Sequence, residues 1–295
     1  MGSRAEVSKT RFLVGNEDTS IPFSLTLRIA AVVAAVTVLT SSAAQPSPGD
    51  PFDLRVNFAD LPDGSPFQLP QQQQVFNDPH VVRHINGDTG PNVSKYVMSI
   101  VSHDCKSARC LQFTYPKGSH GTFLELPGYG ASGFVLLMSR AEILNVEFDW
   151  LFEPGFDLSS GIGKMPGWPM IGSDSFNKGT QLLLTWRANY HPTRLVFVNQ
   201  DPESGHTCCG SAGAGPAAVT GHWYHIRMQL KAGPNGYSKG WIDGKLVFDN
   251  GPFLARTQDD TAIVSFRTWF GGANHAANNS YAHMDNIHIW SGNGP

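Results

Sequence analysis

The chain has 295 residues, 41% of them hydrophobic and 15% charged, and its 24 acidic and 21 basic residues leave a net charge of −3. A charge this close to neutral excludes a dedicated nucleic-acid binder, which carries a strongly basic surface. The 31 Gly and 20 Pro residues favour many turns over long helices, and the apolar content excludes a disordered chain because it suffices for a core.

The first 44 residues have the features of a secretory signal peptide. Residues 29–39 are almost wholly apolar, Arg28 precedes them, and small residues follow up to Ala44. This stretch is shorter than the ~20 residues of a membrane-spanning helix, so we expect cleavage near Ala44 and a secreted protein with no membrane anchor. The long segment before Arg28 carries acids at positions 6, 17 and 18, which leaves an uncleaved signal anchor open as the alternative.

Residues 45–80 are rich in Pro, Gln and Asp and are interpreted as a linker and a first edge strand. Residues 81–295 are interpreted as a single domain, and no amphipathic helix is predicted after residue 45. Two sequons, at Asn92 and Asn278, would accept glycans in a eukaryotic secretory pathway.

Four cysteines suit an oxidising compartment and allow three disulfide connectivities. A local bridge between Cys105 and Cys110 is the simplest, but a link from either to Cys208-Cys209 is equally open. A zinc site with His103 and His206 is less favoured, because neither cysteine pair has the spacing of zinc ligands.

From residue 110 onward, short runs with period-two alternation recur between turn signals, which is typical of β-sandwiches and barrels. The clearest is 224–230, where apolar and polar residues alternate and thus point to opposite faces of a strand. Asp243-Gly244 lies between apolar runs and predicts a hairpin turn. The fold class is therefore predicted as all-β, a single two-sheet sandwich. The predicted strands cover residues 111–115, 146–150, 181–187, 194–198, 224–230, 240–248 and 281–290.

Several short motifs, in order over about residues 110–290, resemble polysaccharide lyase family 14, whose members cleave alginate and glucuronan and adopt a β-jelly-roll of the concanavalin A-like type. The motifs are Thr114–Ser119, Phe152–Asp157, Gly163–Gly167, Thr185–Arg187, Gly221–Trp223, Trp241–Lys245, Arg267–Gly272 and Tyr281–Asn286. The resemblance implies a lyase that splits an anionic uronate polysaccharide by β-elimination. No metal or other cofactor is expected, because a side chain can supply the positive charge that the reaction needs, and the protein is expected to be a monomer.

By resemblance, Lys164 in the Gly163–Gly167 loop and Arg187 occupy the family's cleft, where they would hold and neutralise the uronate carboxylate. Thr185 falls on the same strand face as Arg187, because side chains alternate with period two. The other residues expected to bind substrate are Lys117, His120, Trp168, Trp269 and His275.

The chain departs from the family in one respect, because the strand at 194–201 has no tyrosine where the family carries a Tyr-x-Tyr acid/base pair. Phe197 stands where a phenol is expected, and it transfers no protons. We expect Tyr190 or His191 to take over this role, with His120 and His275 as further candidates, since imidazole exchanges protons near neutral pH.

The missing tyrosines also support an alternative from another class, a non-catalytic, lectin-like carbohydrate-binding protein on the same fold. A third hypothesis, a retaining glucanase, would use Glu147, Asp149 and Glu153. Leu151 occupies the position where the third acid of that pattern would stand, so a polar strand face is the preferred interpretation of these acids.

Overall fold

The computed structural model describes residues 50–86, 98–118, 131–159, 161–172, 179–200, 212–255, 261–271 and 276–293. The predicted leader over residues 1–44 lies outside the described residues. No helix in the described part of the chain is both long and apolar enough to cross a membrane.

The described residues form eighteen strands and one short helix. In chain order they are β1 Asp53–Arg55, α1 Leu69–Val75, β2 Val81–Asn86, β3 Ser99–Val101, β4 Cys110–Tyr115, β5 Ala131–Ser132, β6 Phe134–Arg140, β7 Ile143–Phe152, β8 Ile162–Lys164 and β9 Trp168–Gly172. They continue with β10 Gly179–Arg187, β11 Arg194–Gln200, β12 Ala212–Ala217, β13 Trp223–Lys231, β14 Gly233–Ile242, β15 Lys245–Ala255, β16 Thr261–Ser265, β17 Thr268–Gly271 and β18 Ser280–Ser291.

The strands pair into two antiparallel sheets. Sheet I has the order β15-β14-β13-β7-β18-β4-β3, and β1 also pairs with β18. Sheet II has the order β2-β6-β16-β9-β10-β8-β17-β5, with β11 on the free side of β10 and β12 next to β11. The predicted all-β jelly-roll sandwich is confirmed, and each predicted strand is present.

The core lies between the two sheets and is built from alternate residues of each strand. In β7, Val146, Phe148 and Trp150 are fully buried, while Glu147 and Asp149 point to the opposite face. Trp186 of sheet II meets Phe152 of sheet I edge to face, with ring centroids 5.7 Å apart. Aromatic pairs of this kind add to the stability that burial of the rings provides.

The hairpin predicted at Asp243-Gly244 joins β14 to β15. Asp243 has φ 52° and Gly244 has φ 75°, the left-handed backbone at both central positions that a type I′ turn requires. Asp243 also accepts a hydrogen bond from the backbone N–H of His225 through Oδ1 at 2.8 Å, which ties the turn to the neighbouring strand β13.

One helix was not predicted. Helix α1 contains the glutamines at 71–74, which are good helix formers, and Pro70 stands in its first turn. With seven residues it has fewer than two turns, too few for helical periodicity to show in the sequence. Gln72 is buried on its inner side and donates to Phe67 O at 3.3 Å.

The described part of the predicted linker packs onto the domain. Strand β1 pairs with β18 over three residues, and the apolar side chains of this segment belong to the common core. The buried members are Phe52, Leu54, Val56, Phe58, Leu61, Phe67 and Phe76. Residues 52–76 are thus part of the folded unit.

The local disulfide is confirmed. Cys105 and Cys110 are bonded, with Cα atoms 5.5 Å apart, so these sulfurs are not free to bind zinc. Residues Cys208 and Cys209 lie outside the described residues.

Candidate functional site

The outer face of sheet II, the side turned away from sheet I, carries the cation on which the functional expectation depends. The pairing register places Lys164 of β8 directly opposite Trp269 of β17 and Thr185 of β10, and Thr185 opposite Val196 of β11. Directly opposite residues project from the same face of a sheet. Since the adjacent residue Trp186 belongs to the core, the side chains of Lys164, Thr185 and Val196 face outward.

Lys164 is half-buried on this outer face. Its Nζ atom lies 5.3 Å from the centroid of the Trp168 ring, a cation–π distance. Burial lowers the pKa of Lys164 to about 8, because an ammonium group loses hydration when it leaves water. The side chain is therefore mostly protonated at neutral pH, although its charge is poorly hydrated.

Gly163 permits the close packing that places Lys164. A Cβ atom at this position would lie 1.8 Å from Cζ2 of Trp186, and that tryptophan is fully buried. The ring covers the backbone of β8 from the core side, so the strand can present Lys164 on the other side only if residue 163 has no side chain.

Thr185 positions Arg187. The Thr185 hydroxyl donates to Val196 O at 3.0 Å and accepts from Arg187 Nε at 3.3 Å. Because Thr185 is only 2% exposed and its hydroxyl holds these two bonds, its role in this structure is to orient the guanidinium.

A further cation lies opposite Arg187. Arg194 is its register partner in β11 and donates through Nη1 to Gly215 O at 2.8 Å. Two guanidinium groups at directly opposite positions repel each other, and an anion between them would relieve that repulsion. Sequence reasoning did not single out Arg194, although pairing the predicted strands 181–187 and 194–198 would have placed it beside Arg187.

An apolar wall surrounds these cations. Trp168, Leu183, Val196 and Val198 form a buried cluster separate from the main core, and Tyr190 packs against it. The wall lowers the local dielectric and so strengthens the field of the cations beside it. Among the described tyrosines, Tyr190 is the one in contact with this cluster.

Burial places two residues of the predicted cleft, Trp168 and Phe197, away from direct contact with a sugar. Trp168 was expected to stack on sugar, but it is 2% exposed and has no open ring face for a sugar; its contact with Lys164 makes it a supporting residue. Phe197 was expected to stand at a phenol position of the cleft, but it belongs to the core between the sheets. Because side chains alternate, Val196 and Val198 occupy the outer face of β11 instead.

The remaining candidates are dispersed. His191 is exposed and follows Tyr190 in the turn between β10 and β11. Lys117 is exposed just after β4 of sheet I, where its backbone N–H donates to Asn279 Oδ1 at 2.8 Å. The backbone of Trp269 is opposite Lys164, whereas His120 and His275 lie outside the described residues.

Charge is distributed unequally between the two sheets. The strands of sheet II contain five basic residues and no Asp or Glu, the bases being Arg83, Arg140, Lys164, Arg187 and Arg194. The strands of sheet I contain five basic and five acidic residues, the acids being Asp53, Glu147, Asp149, Asp249 and Asp285. Within the described strands, sheet II is therefore suited to an anionic ligand.

The acids that suggested a glucanase lie on the outer face of sheet I, in an ion-pair network. Asp149 accepts hydrogen bonds from Lys106 Nζ at 2.9 Å, His225 Nδ1 at 3.1 Å and Asn286 Nδ2 at 2.7 Å. Burial alone would raise the pKa of Asp149, but the bonds from these three groups outweigh it and lower the pKa to about 2.

This network argues against glucanase chemistry. Asp149 stays ionised and accepts hydrogen bonds from three side chains, while Glu147 pairs with His225 Nε2 at 3.6 Å. Glu153 follows the end of β7 and contacts His103 and His283 instead. These three residues are the group of potential metal ligands in the described part of the chain.

Comparison with known proteins shows that the structure of this chain is similar to solved structures of other proteins. No family model matches the chain, and no curated protein matches it in sequence. The solved structure of alginate lyase Aly36B is similar with a TM-score of 0.57 at 18% identity, covering 82% of this chain and 97% of that one. A variant of that enzyme in complex with alginate trisaccharide gives a TM-score of 0.58 at 16% identity, covering 83% and 99%.

An endo-β-1,4-glucuronan lyase from the fungus Trichoderma reesei is also similar, with a TM-score of 0.46 at 15% identity over 72% of this chain and 95% of that one. The two alginate lyase structures, with TM-scores of 0.57 and 0.58 at 18% and 16% identity, show a shared fold. The chain has a polysaccharide lyase-like fold, and what it acts on has to be argued from its own residues.

Proposed function

We propose that this protein is a polysaccharide lyase of the family 14 type, which cleaves an anionic uronate polymer such as alginate or glucuronan by β-elimination. The observation that carries the proposal is the placement of Lys164, Arg187 and Arg194 on one face of a sheet whose strands contain no acid. The alginate lyases with the same fold support this choice of reaction.

In the proposed reaction, Lys164 and Arg187 neutralise the carboxylate of the uronate at the cleavage point. A guanidinium binds a carboxylate through two parallel hydrogen bonds, and both cations act strongly beside the apolar wall. Withdrawal of charge from the carboxylate acidifies the proton on C5, the atom next to it. Thr185 holds Arg187 through its Nε contact and does not need to touch the sugar.

His191 and Tyr190 supply the proton transfers. His191 takes the C5 proton, the electron pair left behind forms the C4–C5 double bond, and the bond from C4 to O4 breaks. Tyr190 gives its phenolic proton to the departing O4 and regains one from solvent. The Tyr190 ring lies against the apolar wall that includes Trp168, on the same face as the cations.

The compartment we propose is extracellular. The basic and apolar pattern of residues 28–44 supports it, as does the Cys105–Cys110 disulfide, since disulfides persist in oxidising surroundings.

One observation favours a second function, a lectin-like protein that binds the polymer without cleaving it. The outer face of β11 presents Val196 and Val198, two residues that exchange no protons. In that case the cations and the apolar wall would hold the polysaccharide, and no chemistry would follow.

The test is to incubate the purified protein with alginate and glucuronan, and with a neutral glucan as control, while following absorbance of the unsaturated uronate product. We expect product from a uronate polymer and none from the glucan. Tyr190→Phe, which removes only the phenolic oxygen, should lower the rate by about 100-fold. Retention of the polymer without product would refute the lyase and support the lectin.

A further inference from the structure

Two imidazoles and one carboxylate converge at one end of the outer face of sheet I, on the opposite side of the sandwich from the proposed lyase site. His103, Glu153 and His283 each offer a ligand atom, and the three atoms lie within 4.8 Å of one another. We propose that these residues bind one divalent transition-metal ion of the Zn²⁺ class.

The spacing of the three atoms suits such an ion after a small side-chain adjustment. Glu153 Oε1 lies 2.6 Å from His283 Nε2 and 3.9 Å from His103 Nε2. Ligand atoms around a tetrahedral zinc ion, each about 2.0–2.2 Å from the metal, are about 3.3 Å apart. The two distances from Glu153 Oε1 lie on either side of this value. A rotation of the Glu153 and His103 side chains would place all three ligand atoms at bonding distance from one ion.

The cluster combines a fixed part and an accessible part. His283 lies within β18 and its side chain is 0% exposed, whereas the His103 side chain in the loop after β3 is 58% exposed. Glu153 comes directly after β7. An ion can therefore enter from the His103 side, and water can complete the coordination, as in zinc sites with two His, one Glu and an open position.

A neighbouring side chain supports the carboxylate ligand. Gln112 of β4 is the register partner of His283; its Nε2 donates to Glu153 Oε1 at 2.9 Å and lies 3.2 Å from His283 Nε2. Metal-binding carboxylates are commonly held by such an outer hydrogen bond, which fixes their orientation.

The chemistry of the ligands selects the class of ion. Ca²⁺ and Mg²⁺ take oxygen ligands almost exclusively, and two imidazole nitrogens out of three ligands favour zinc or a neighbouring first-row metal. The sequence predicted no metal, since its zinc hypothesis relied on cysteines. The ligands come from positions 103, 153 and 283, and no local spacing motif connects them.

The proposed ion would tie the loop that carries His103 to two strands of sheet I. Its expected effect is on stability, and the lyase reaction does not depend on it. The test uses protein without a histidine tag, treated with chelator and then freed of it. Titration with ZnCl₂ by calorimetry should give one ion per chain, and ZnCl₂ but not CaCl₂ should raise the Tm.

Two variants and one control locate the site. His103→Ala removes an exposed ligand and should weaken zinc binding by at least about 100-fold. Loss of only a hydrogen-bond partner of a metal ligand already lowers metal affinity by about 10–100-fold. Glu153→Gln should weaken it similarly. His222→Ala is the matched control, because His222 is also an exposed histidine beside an acid, 3.4 Å from Asp243, and it should leave zinc binding unchanged. The proposal is overturned if the unaltered protein binds no zinc, or if His103→Ala binds it as tightly as His222→Ala.

Discussion

Charged residues alternate with core residues along the strands of both sheets, but the groups that contact these charged residues differ between the two outer faces. On sheet I, Asp149 is bound by Lys106, His225 and Asn286, and the Arg227 guanidinium lies between Trp241 and Trp290, 5.0 and 5.1 Å from their ring centroids. On sheet II, Lys164 stands over Trp168 beside an apolar wall, in a sheet whose strands contain no acid.

This difference predicts that mutations on the two outer faces change different properties of the protein. Oppositely charged side chains that pair with each other hold neighbouring strands together, and their combined charge attracts a charged ligand only weakly. Cations grouped in strands that contain no acid produce a positive field on that face of the sheet, which attracts an anionic ligand. The sheet I outer face is accordingly expected to respond to mutation through stability, and the sheet II outer face through activity.

The largest expected effect is on activity and follows from Lys164→Met. Loss of the ammonium should lower kcat/KM on the preferred uronate polymer by about 1,000-fold, equivalent to about 4 kcal/mol of transition-state stabilisation. Lys245→Met is the matched control, since Lys245 is exposed on the β14–β15 hairpin of sheet I. Equal rates for the two variants would show that sheet II has no special role.

The next effect is on folding and concerns the packing behind Lys164. Gly163→Ala would place a Cβ atom 1.8 Å from the Trp186 ring, and the buried ring has no room to move. We expect a loss of about 3 kcal/mol in the free energy of unfolding, at the upper end for an overpacked core. Ile162→Ala, at a neighbouring residue that is 37% exposed, should change it much less. Urea denaturation of both variants measures this, and similar midpoints would contradict the packing described for β8.

A smaller effect on stability is expected from Asp149→Asn on sheet I. The pKa of Asp149 is lowered to about 2 in the folded protein, so its carboxylate stabilises the fold above the unfolded pKa of about 3.9. That contribution, about 2 kcal/mol, is lost as the pH falls through the range from about 4 to about 2. The difference in unfolding free energy between the variant and the unaltered protein should therefore be present at about pH 6 and shrink in acid.

Asp249→Asn serves as the control for this network. Asp249 forms an exposed ion pair with Lys239 at 3.5 Å, which contributes less than about 1 kcal/mol. If Asp149→Asn changes stability no more than Asp249→Asn does, the sheet I network is not the stabilising element that its hydrogen bonds indicate.

The pH dependence of activity gives the smallest effect, about tenfold for each pH unit. Because the pKa of Lys164 is lowered to about 8 and the proposed role needs its cationic form, kcat/KM should fall as the pH rises above about 8. Lys164→Arg keeps the charge throughout this range and should move the decline to higher pH. A rise in kcat/KM through the same range would instead make Lys164 the base.

The fold was predictable because the period-two alternation and the turn residues are local sequence features that identify the strands and the hairpins. Residues 224–230 alternate without interruption and form β13, and Asp243-Gly244 forms the predicted turn. The burial of Phe197 in the core was not predictable from the motif, because a motif alignment fixes the strand but not which residues of that strand face the core. A displacement by one residue exchanges the core face and the outer face of a strand.

The site was predictable only in part. Short motifs singled out Lys164 and Arg187 as candidates, and strand pairing places them on one face of sheet II. Arg194 and the cluster of His103, Glu153 and His283 were missed because their positions depend on which strands pair. His103 and His283 are 180 positions apart in the chain. Burial of Trp168 and Thr185 is likewise a product of tertiary packing, which no local pattern contains.

The most direct test of the lyase assignment is the mass of the product released from the preferred uronate polymer. Elimination gives oligosaccharides whose non-reducing end lacks the elements of water relative to a hydrolysis product, because a double bond forms in place of the added water. We predict that mass spectrometry will find these unsaturated oligosaccharides with the unaltered protein and, in equal digestion times, at trace level with Lys164→Met. Hydrated ends, or an intact polymer with both proteins, would contradict the account.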